Sequence, residues 1–205
     1  MLGNIIIEAS QRYYAIENGL IIYETNTTSR NFQSNTIKTL VFKNFGAVEL
    51  IEEIGYVQSG KNSFAIHTMS KRENEIFYTV NFEQKRIDSF PLAKFTPLTN
   101  VQTDKYENIL AYTCKVIELP TSKLWVHKGI ILKQTTRTNE IQTRSRAVKI
   151  VFNASLKPEL LKLPDFKNEN NISDTKVYNK KEHLINGVDI SDIIEGAQLI
   201  ESILN

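Results

Sequence analysis

Hydrophobic and polar residues alternate over short runs along most of this chain. Residues 37–43 (IKTLVFK) are typical, because alternate side chains of an extended segment point to opposite faces. Such runs recur at short intervals, with Asn, Gly, Lys and Ser between them, which predicts an antiparallel meander rather than βαβ units. The predicted strands are residues 19–25, 37–43, 47–54, 62–69, 75–81, 86–88, 109–118, 122–127, 130–136 and 143–152.

Two segments break this pattern. Residues 91–108 contain Pro91 and Pro97 and show no clean period, which indicates a long connection of the kind that often covers something. Residues 167–187 are rich in Asn, Lys, Asp and Glu and poor in apolar side chains, which indicates an exposed polar linker.

The end of the chain predicts an amphipathic helix. Its apolar positions recur at spacings of three and four residues: Ile190, Ile193, Ala197, Ile200 and Leu204. A lone helix of this length is marginal in water, so the stripe must dock on the sheet, on a second copy of the chain or on a partner. The predicted organisation is a β domain over residues 1–166, the linker over 167–187 and the helix over 188–205.

Composition and charge indicate which classes of protein this chain can belong to. The chain has 205 residues, 41% of them hydrophobic, which is enough for one substantial core. With Lys+Arg 25 against Asp+Glu 23 and no basic stripe, we expect no nucleic-acid partner. We expect no transmembrane segment, because no apolar run is long enough to span a bilayer. The start lacks the features of a secretion signal, so either the protein is cytosolic or a signal has been replaced by Met1.

The residues that most often carry chemistry show no catalytic spacing. Cys114, the only cysteine, alternates with Tyr112 and Val116, so we interpret it as part of a core face. The three histidines, His67, His127 and His183, match no metal or catalytic motif. We therefore expect each histidine to be solvated or to form a single hydrogen bond, and we predict no catalytic, cofactor or metal residue.

Glu49, Glu52 and Glu53 form the densest acidic cluster. A pair of carboxylates across a cleft would suit glycoside hydrolysis. On a strand, however, Glu52 and Glu53 point to opposite faces, and Glu49 shares a face with Glu53 only. We interpret the cluster as a solvated face. A small hydrolase stays open as a third class, and it would need His127, Glu49 or Glu53 to converge in one cleft.

Trp125, the only tryptophan, shares a strand face with Lys123 and His127. That is the more polar side of its strand. A tryptophan in such a place either lies under a covering segment or lines a surface that binds something. Trp125 and Tyr112 are therefore the candidate ligand-binding residues.

Several motifs resemble, in order and spacing, a family of uncharacterised secreted bacterial domains. The strongest are residues 110–116 (LAYTCKV), 123–126 (KLWV) and 128–133 (KGIILK), with residues 18–24, 40–46 and 161–166 similar to other parts of the family. The likeness covers about residues 18–166. Ala111 stands where a Gly is usual, Ile131 where a Pro is usual, and the middle connection is shorter. The family offers no catalytic residues to carry over.

Members of that family look like relatives of the outer-membrane lipoprotein carriers and their receptors. The resemblance implies a mainly β fold: a strongly curved antiparallel meander or half-barrel, with a covering loop and here a C-terminal helix. It also implies a concave apolar face that can hold an acyl chain, and a location in the periplasm or at the outer membrane.

Two functions then compete. The first is a non-enzymatic cell-envelope protein that binds a lipid or another apolar ligand. The second is a structural or interaction module without a ligand, which uses the C-terminal helix to form a homodimer or to bind a protein partner.

Overall fold

Extended strands build almost all of the described chain. The computed structural model describes residues 12–92, 98 and 103–166, and the backbone of 184–185 and 188–189. Eleven strands form one open antiparallel sheet, as the alternation predicts. They are β1 (Gly19–Thr28), β2 (Gln33–Lys43), β3 (Val48–Ser59), β4 (Asn62–Glu73), β5 (Ile76–Asn81), β6 (Arg86–Pro91), β7 (Tyr106–Ile109), β8 (Tyr112–Glu118), β9 (Ser122–His127), β10 (Ile130–Thr138) and β11 (Ile141–Phe152). Helical structure in the described residues is confined to short 3₁₀ turns, among them Asn44–Gly46 and Pro158–Leu161.

The strand order joins two meanders in the middle of the sheet. The order is β6-β5-β4-β3-β2-β1-β11-β10-β9-β8-β7. The first strand pairs with the last, from Gly19 opposite Phe152 to Thr28 opposite Gln142. Strands β6 and β7 therefore form the two outer edges, and residues 92–105 connect one edge to the other.

The connection predicted over residues 91–108 contains most of a strand, β7. A hairpin turn over residues 110–111 separates β7 from β8, so the strand predicted over residues 109–118 begins only at Tyr112. Leu110 occupies this turn with a φ of +51°. Positive φ in a two-residue hairpin turn usually requires Gly or Asn. Leu110 and Ala111 are neither, so the sequence gives no signal for this turn.

A bulge in β11 changes which residues share a face. The alternation predicts that Val148, Ile150 and Phe152 share a face with Arg144 and Arg146. In the structure Ile22 pairs with Lys149 but Tyr23 pairs with Ala147, so Val148 is an extra residue. Ala147 is fully buried and Val148 is exposed. The prediction that Val148 shares a face with Arg144 and Arg146 is therefore wrong, because the bulge shifts the alternation at Val148.

Both faces of the central strands carry apolar side chains. The larger cluster includes Ile21, Tyr23, Leu40, Phe42, Cys114, Val116, Trp125, Leu132 and Ala147. A second cluster contains Leu20, Ile22, Val41 and Leu50, with Leu161 of the last 3₁₀ turn packed on them. Burying one such side chain contributes about 1.5–3 kcal/mol, so burial on both sides makes β1 and β2 the centre of the core.

The predicted linker and C-terminal helix lie outside the described residues, apart from a small ladder that pairs Leu184–Ile185 with Val188–Asp189. The helix and the domain boundaries stay predictions. Of the predicted covering connection, Leu98 packs against Ile117, Leu124 and Val126. Within the described ranges, no helix is long and apolar enough to cross a membrane.

Candidate functional site

A cleft of about 230 Å³ lies beside the larger cluster. Residues from both halves of the sheet form its walls. Arg72 on β4 and Ile131 on β10 both line the cleft, although four other strands lie between β4 and β10 in the sheet. The lining consists of Tyr13, Tyr14, Tyr23, Lys38, Leu40, Glu49, Ile51, Arg72, Leu98, Gly129, Ile130, Ile131, Lys133, Gln134 and Ser145.

Glu49 is the buried acidic group of this cleft. Only 9% of the residue is exposed. The Tyr14 hydroxyl donates a hydrogen bond to Oε2 of Glu49, and Nη2 of Arg72 lies 3.1 Å from the same oxygen. Arg72 also donates to the carbonyl oxygen of Gly46 at 2.8 Å. The expectation of a solvated acidic face is therefore wrong for Glu49, whose charge is paired inside the protein.

Burial sets the acid–base state of these groups. It raises the pKa of Glu49, and the Arg72 guanidinium opposes the shift. Burial also raises the pKa of the Tyr14 hydroxyl, and the neighbouring Glu49 carboxylate raises it further. Tyr14 consequently stays a hydrogen-bond donor across the physiological range.

The segment before β1 borders the cleft. The backbone N–H groups of Tyr13 and Tyr14 both donate to the carbonyl oxygen of Phe45, at 2.9 and 3.0 Å. The N–H of Ala15 donates to the carbonyl oxygen of Lys128 at 2.9 Å. The segment thus spans from the β2–β3 turn to the β9–β10 turn. Sequence reasoning missed it, because the sequence before Gly19 shows no alternation that would mark a packed element.

Two lysines also line the cleft. Nζ of Lys38 lies 4.4 Å from the ring centroid of Tyr23, and Nζ of Lys133 lies 3.9 Å from that of Trp125. Burial lowers the pKa of Lys38, while Glu53 and Glu49 oppose the shift. The Tyr23 hydroxyl donates to the carbonyl oxygen of Ile131 at 3.0 Å, which ties β1 to β10.

Neither of the predicted ligand-binding residues lines the cleft. Trp125 is 4% exposed, and its indole N–H donates to Oε2 of Glu107 at 2.6 Å. Lys133 is the link between the Trp125 ring and the cleft. Tyr112 is half-buried, with its ring centroid 5.2 Å from that of Phe152. A role for Trp125 and Tyr112 in ligand binding stays a prediction.

The other predicted side chains lie in structural surroundings. Cys114 is fully buried, as predicted, and burial raises the pKa of its thiol to about 11. His67 contacts Glu52 at 2.9 Å, and Nδ1 of His127 lies 2.9 Å from the carbonyl oxygen of Thr113. Among the described residues, no group of three His, Cys, Asp or Glu side chains could hold a metal ion. His183 lies outside them.

Comparisons of the chain with known proteins give matches among solved structures. No family model and no curated protein matches it. Among solved structures, a LolA superfamily protein from Nitrosomonas europaea shows 9% identity and a TM-score of 0.38, over 76% of this chain and 94% of that one. A putative outer membrane lipoprotein-sorting protein domain from Vibrio parahaemolyticus shows 11% identity and a TM-score of 0.24, over 75% of this chain and 91% of that one.

Both structures are of the class that the sequence motifs resemble, so the recognised similarity is confirmed. At these TM-scores the likeness carries no argument about function. A proposal about function therefore rests on the geometry of the cleft in this chain.

Proposed function

We propose that this protein is a non-enzymatic binding module of the cell envelope, and that it holds a lipid or another apolar ligand in the cleft. One observation carries the proposal: apolar side chains from opposite halves of the sheet wall a single cleft. These are Leu40 and Ile51 from one half and Ile130 and Ile131 from the other, with Leu98 beside them. Ligand sites combine apolar walls with a few placed polar groups. This lining has both kinds of side chain, aliphatic residues and tyrosines on one hand and charged or hydrogen-bonding residues on the other.

The proposal includes a strongly curved sheet, a half-barrel with the cleft on its concave side. Crossing all eleven strands of a flat sheet needs about 48 Å. The connection over residues 92–105 reaches about 50 Å only when fully extended. Curvature brings the two edges closer together, and it explains how Arg72 and Ile131 can line one cleft.

Gly55 supports the same curvature from within a strand. A Cβ atom at Gly55 would overlap the carbonyl oxygen of Asn35 and lie 2.7 Å from Cα of Thr36. A glycine inside a strand often marks a tight bend or a close approach of backbones. Strand β3 therefore approaches β2 so closely at this point that a side chain would not fit.

The size of the cleft suits one chain of a ligand. At about 230 Å³ it is smaller than the roughly 300–1,000 Å³ of most small-molecule sites. Tyr13 and Tyr14 form part of its wall, so a larger ligand would have to displace the segment over residues 12–18. Tyr13 and Ile16 of that segment are each only 5% exposed, so displacing it would expose core side chains. The cleft as it stands therefore limits the size of the ligand.

The non-enzymatic role is supported by how the reactive groups are engaged. Tyr14 and Arg72 both bind the Glu49 carboxylate, which leaves that group little capacity to act as a general base. Cys114 is buried and protonated at neutral pH, so its thiol is a poor nucleophile.

Native mass spectrometry of gently purified protein tests the proposal. We expect a co-purified lipid-sized adduct on the wild type. Ile51→Trp should fill the cleft and abolish the adduct. Ile54→Trp, on the same strand but the opposite face and already 40% exposed, should keep it. Folded wild-type protein that carries no adduct and takes up no added fatty acid would overturn the proposal.

The location in the periplasm or at the outer membrane rests on the resemblance of the strand motifs. Fractionation of source cells, followed by detection with an antibody, tests it separately. We expect the protein in the periplasmic or outer-membrane fraction. Recovery with cytosolic markers would contradict the location and leave ligand binding to be judged on its own result.

The interaction module that uses the C-terminal helix stays the second prediction. Deleting residues 167–205 tests it, because the three core clusters of the described residues lie within residues 16–161. A folded fragment whose assembly state differs from that of the full chain would support the interaction role. A fragment that unfolds would show that the helix is part of the core and would exclude that role.

A further inference from the structure

Two ammonium groups in the cleft form no ion pair with an acidic side chain of the described residues. Lys38 and Lys133 both line it. Within residues 12–92 and 103–166, neither forms an ion pair or donates a hydrogen bond to another described residue. Each instead lies over an aromatic ring, Tyr23 for Lys38 and Trp125 for Lys133. A cation–π contact fixes the position of an ammonium group but leaves its N–H donors unsatisfied.

The acidic groups near the cleft favour the charged form of Lys38 but do not form an ion pair with either lysine. Glu49 is occupied by Arg72 and Tyr14. Glu53 pairs with Lys38 in the strand register, yet its carboxylate accepts a hydrogen bond from Thr36 Oγ1 and forms no ion pair with Lys38. With Arg72 and Glu49 cancelling, the charged side chains of the lining leave an excess of two positive charges. A partly buried excess of this kind is costly unless an anion compensates it.

Apolar side chains of the cleft lie next to the two lysines on the same strands. Leu40 follows Lys38 by two residues on the same face of β2, a separation of about 7 Å. Ile131 precedes Lys133 by two residues on β10 and also lines the cleft. Gln134 and Ser145 add neutral hydrogen-bonding groups to the lining. The cleft therefore has a cationic part and an apolar part side by side.

We propose that the cleft takes an amphiphile with an acidic head group, a carboxylate or a phosphate, whose head lies between Lys38 and Lys133 and whose chain lies against Leu40, Ile51 and Ile130. This inference rests on the proposed function, because it names the class of ligand for the same cleft. It adds that Lys38 and Lys133 make the cleft selective for an acidic head group.

Calorimetric titration with matched probes tests the inference on the full chain. The probes are decyl phosphate, decanoate, decanol and inorganic phosphate. We expect the two acidic amphiphiles to bind at least about tenfold more tightly than decanol, since a hydrogen bond to a charged group contributes more than a neutral one. Inorganic phosphate alone should bind far more weakly than decyl phosphate, because it lacks the apolar chain.

Variants assign the effect to the two lysines. Lys38→Gln and Lys133→Gln should each weaken decyl phosphate binding about tenfold and leave decanol binding unchanged. Lys38→Arg keeps the charge and should keep most of the affinity. Lys61→Gln, in the exposed β3–β4 turn, is the matched control and should change neither. Circular dichroism of each variant shows whether the sheet is intact.

The outcomes separate the two proposals. Equal affinities for decanol and decyl phosphate in the wild type would overturn the acidic head group and leave apolar binding standing. Inorganic phosphate that binds as tightly as decyl phosphate would also overturn it, because the site would then hold a free anion. Wild-type protein that binds none of the four probes would overturn the proposed function and this inference together.

Discussion

Tyr14 donates its hydroxyl hydrogen to a carboxylate oxygen of Glu49, across the cleft wall and 35 positions along the chain. This bond fastens the segment before β1 to the start of β3. Tyr14→Phe removes the donor and leaves a buried carboxylate with one partner fewer. We expect a loss of about 1–3 kcal/mol in the free energy of unfolding, measured by urea titration. Tyr106→Phe, at a residue that is 57% exposed, should change it little. Equal losses in both variants would contradict a special role for the Tyr14 bond.

The burial of Glu49 predicts a specific pH dependence. Because its pKa is raised in the folded state, the folded protein binds more protons than the unfolded chain between the usual glutamate pKa, about 4.3, and the raised value. Stability from this group is therefore lost as the pH rises through that window.

Glu49→Gln cannot titrate and supplies the comparison. The free energy of unfolding of the wild type minus that of Glu49→Gln should decrease from about pH 4 to about pH 8. Urea titrations at several pH values measure it. A difference that increases with pH would mean that the Arg72 guanidinium outweighs burial and that the pKa of Glu49 is lowered.

The close approach at Gly55 predicts an intolerant position. Gly55→Ala places a methyl group against the backbone of Asn35 and Thr36, and overpacking of this kind costs about 1–3 kcal/mol or more. Gly60→Ala is the control: its surroundings are open, and only its φ of +60° opposes a side chain, at about 1–2 kcal/mol. Thermal unfolding of both variants measures the difference. A Gly55→Ala variant as stable as wild type would argue against the tight bend.

The buried thiol of Cys114 should react only after unfolding. Its side chain has no exposed surface, and burial raises its pKa to about 11, so little thiolate exists at pH 8. We expect Ellman's reagent to label the native protein very slowly and the urea-unfolded protein within minutes. Rapid labelling of the native protein would show that the core around Cys114 opens readily.

Trp125 offers a direct test of its predicted contact with ligand. It is the only tryptophan, it is buried, and Lys133 connects its ring to the cleft. If a bound chain reaches the ring, a brominated fatty acid should quench Trp125 fluorescence more strongly than the unbrominated acid does. Equal fluorescence with the two acids would show that Trp125 supports Lys133 without touching the ligand.

The strands could be predicted because the signals for a strand and for a turn are local properties of the sequence. Ser122–His127 and Ile130–Thr138 each begin or centre on a short apolar run, and the Lys128–Gly129 turn between them has the positive φ values of 49° and 90° that such hairpins need. The pairing of β1 with β11 could not be predicted, because it depends on segments more than a hundred residues apart. The Val148 bulge depends on the same distant pairing.

The cleft could not be predicted from the sequence for a related reason, since it too depends on contacts between distant segments. A glutamate in an alternating strand usually indicates a solvated face, and only the arrival of Tyr14 and Arg72 converts Glu49 into a buried group. The alternation in residues 37–43 puts Lys38 on the same face as Leu40 and Phe42, and Lys38 and Leu40 both line the cleft. Its share in a cleft with Lys133 depends on two strands that are neither adjacent in sequence nor paired in the sheet.

The pairing of β1 with β11 has a consequence for how the protein is made. During synthesis β1 leaves the ribosome early, and β2 can cover one of its edges at once. Its other edge waits for residues 141–152, so a row of unpaired backbone groups beside Leu20, Ile21 and Ile22 stays open until the sheet is nearly complete. Long-range strand pairing of this kind is slow. From the synthesis of β2 until that of β11, the nascent chain therefore exposes an aggregation-prone strand edge at the place that later becomes the centre of its core.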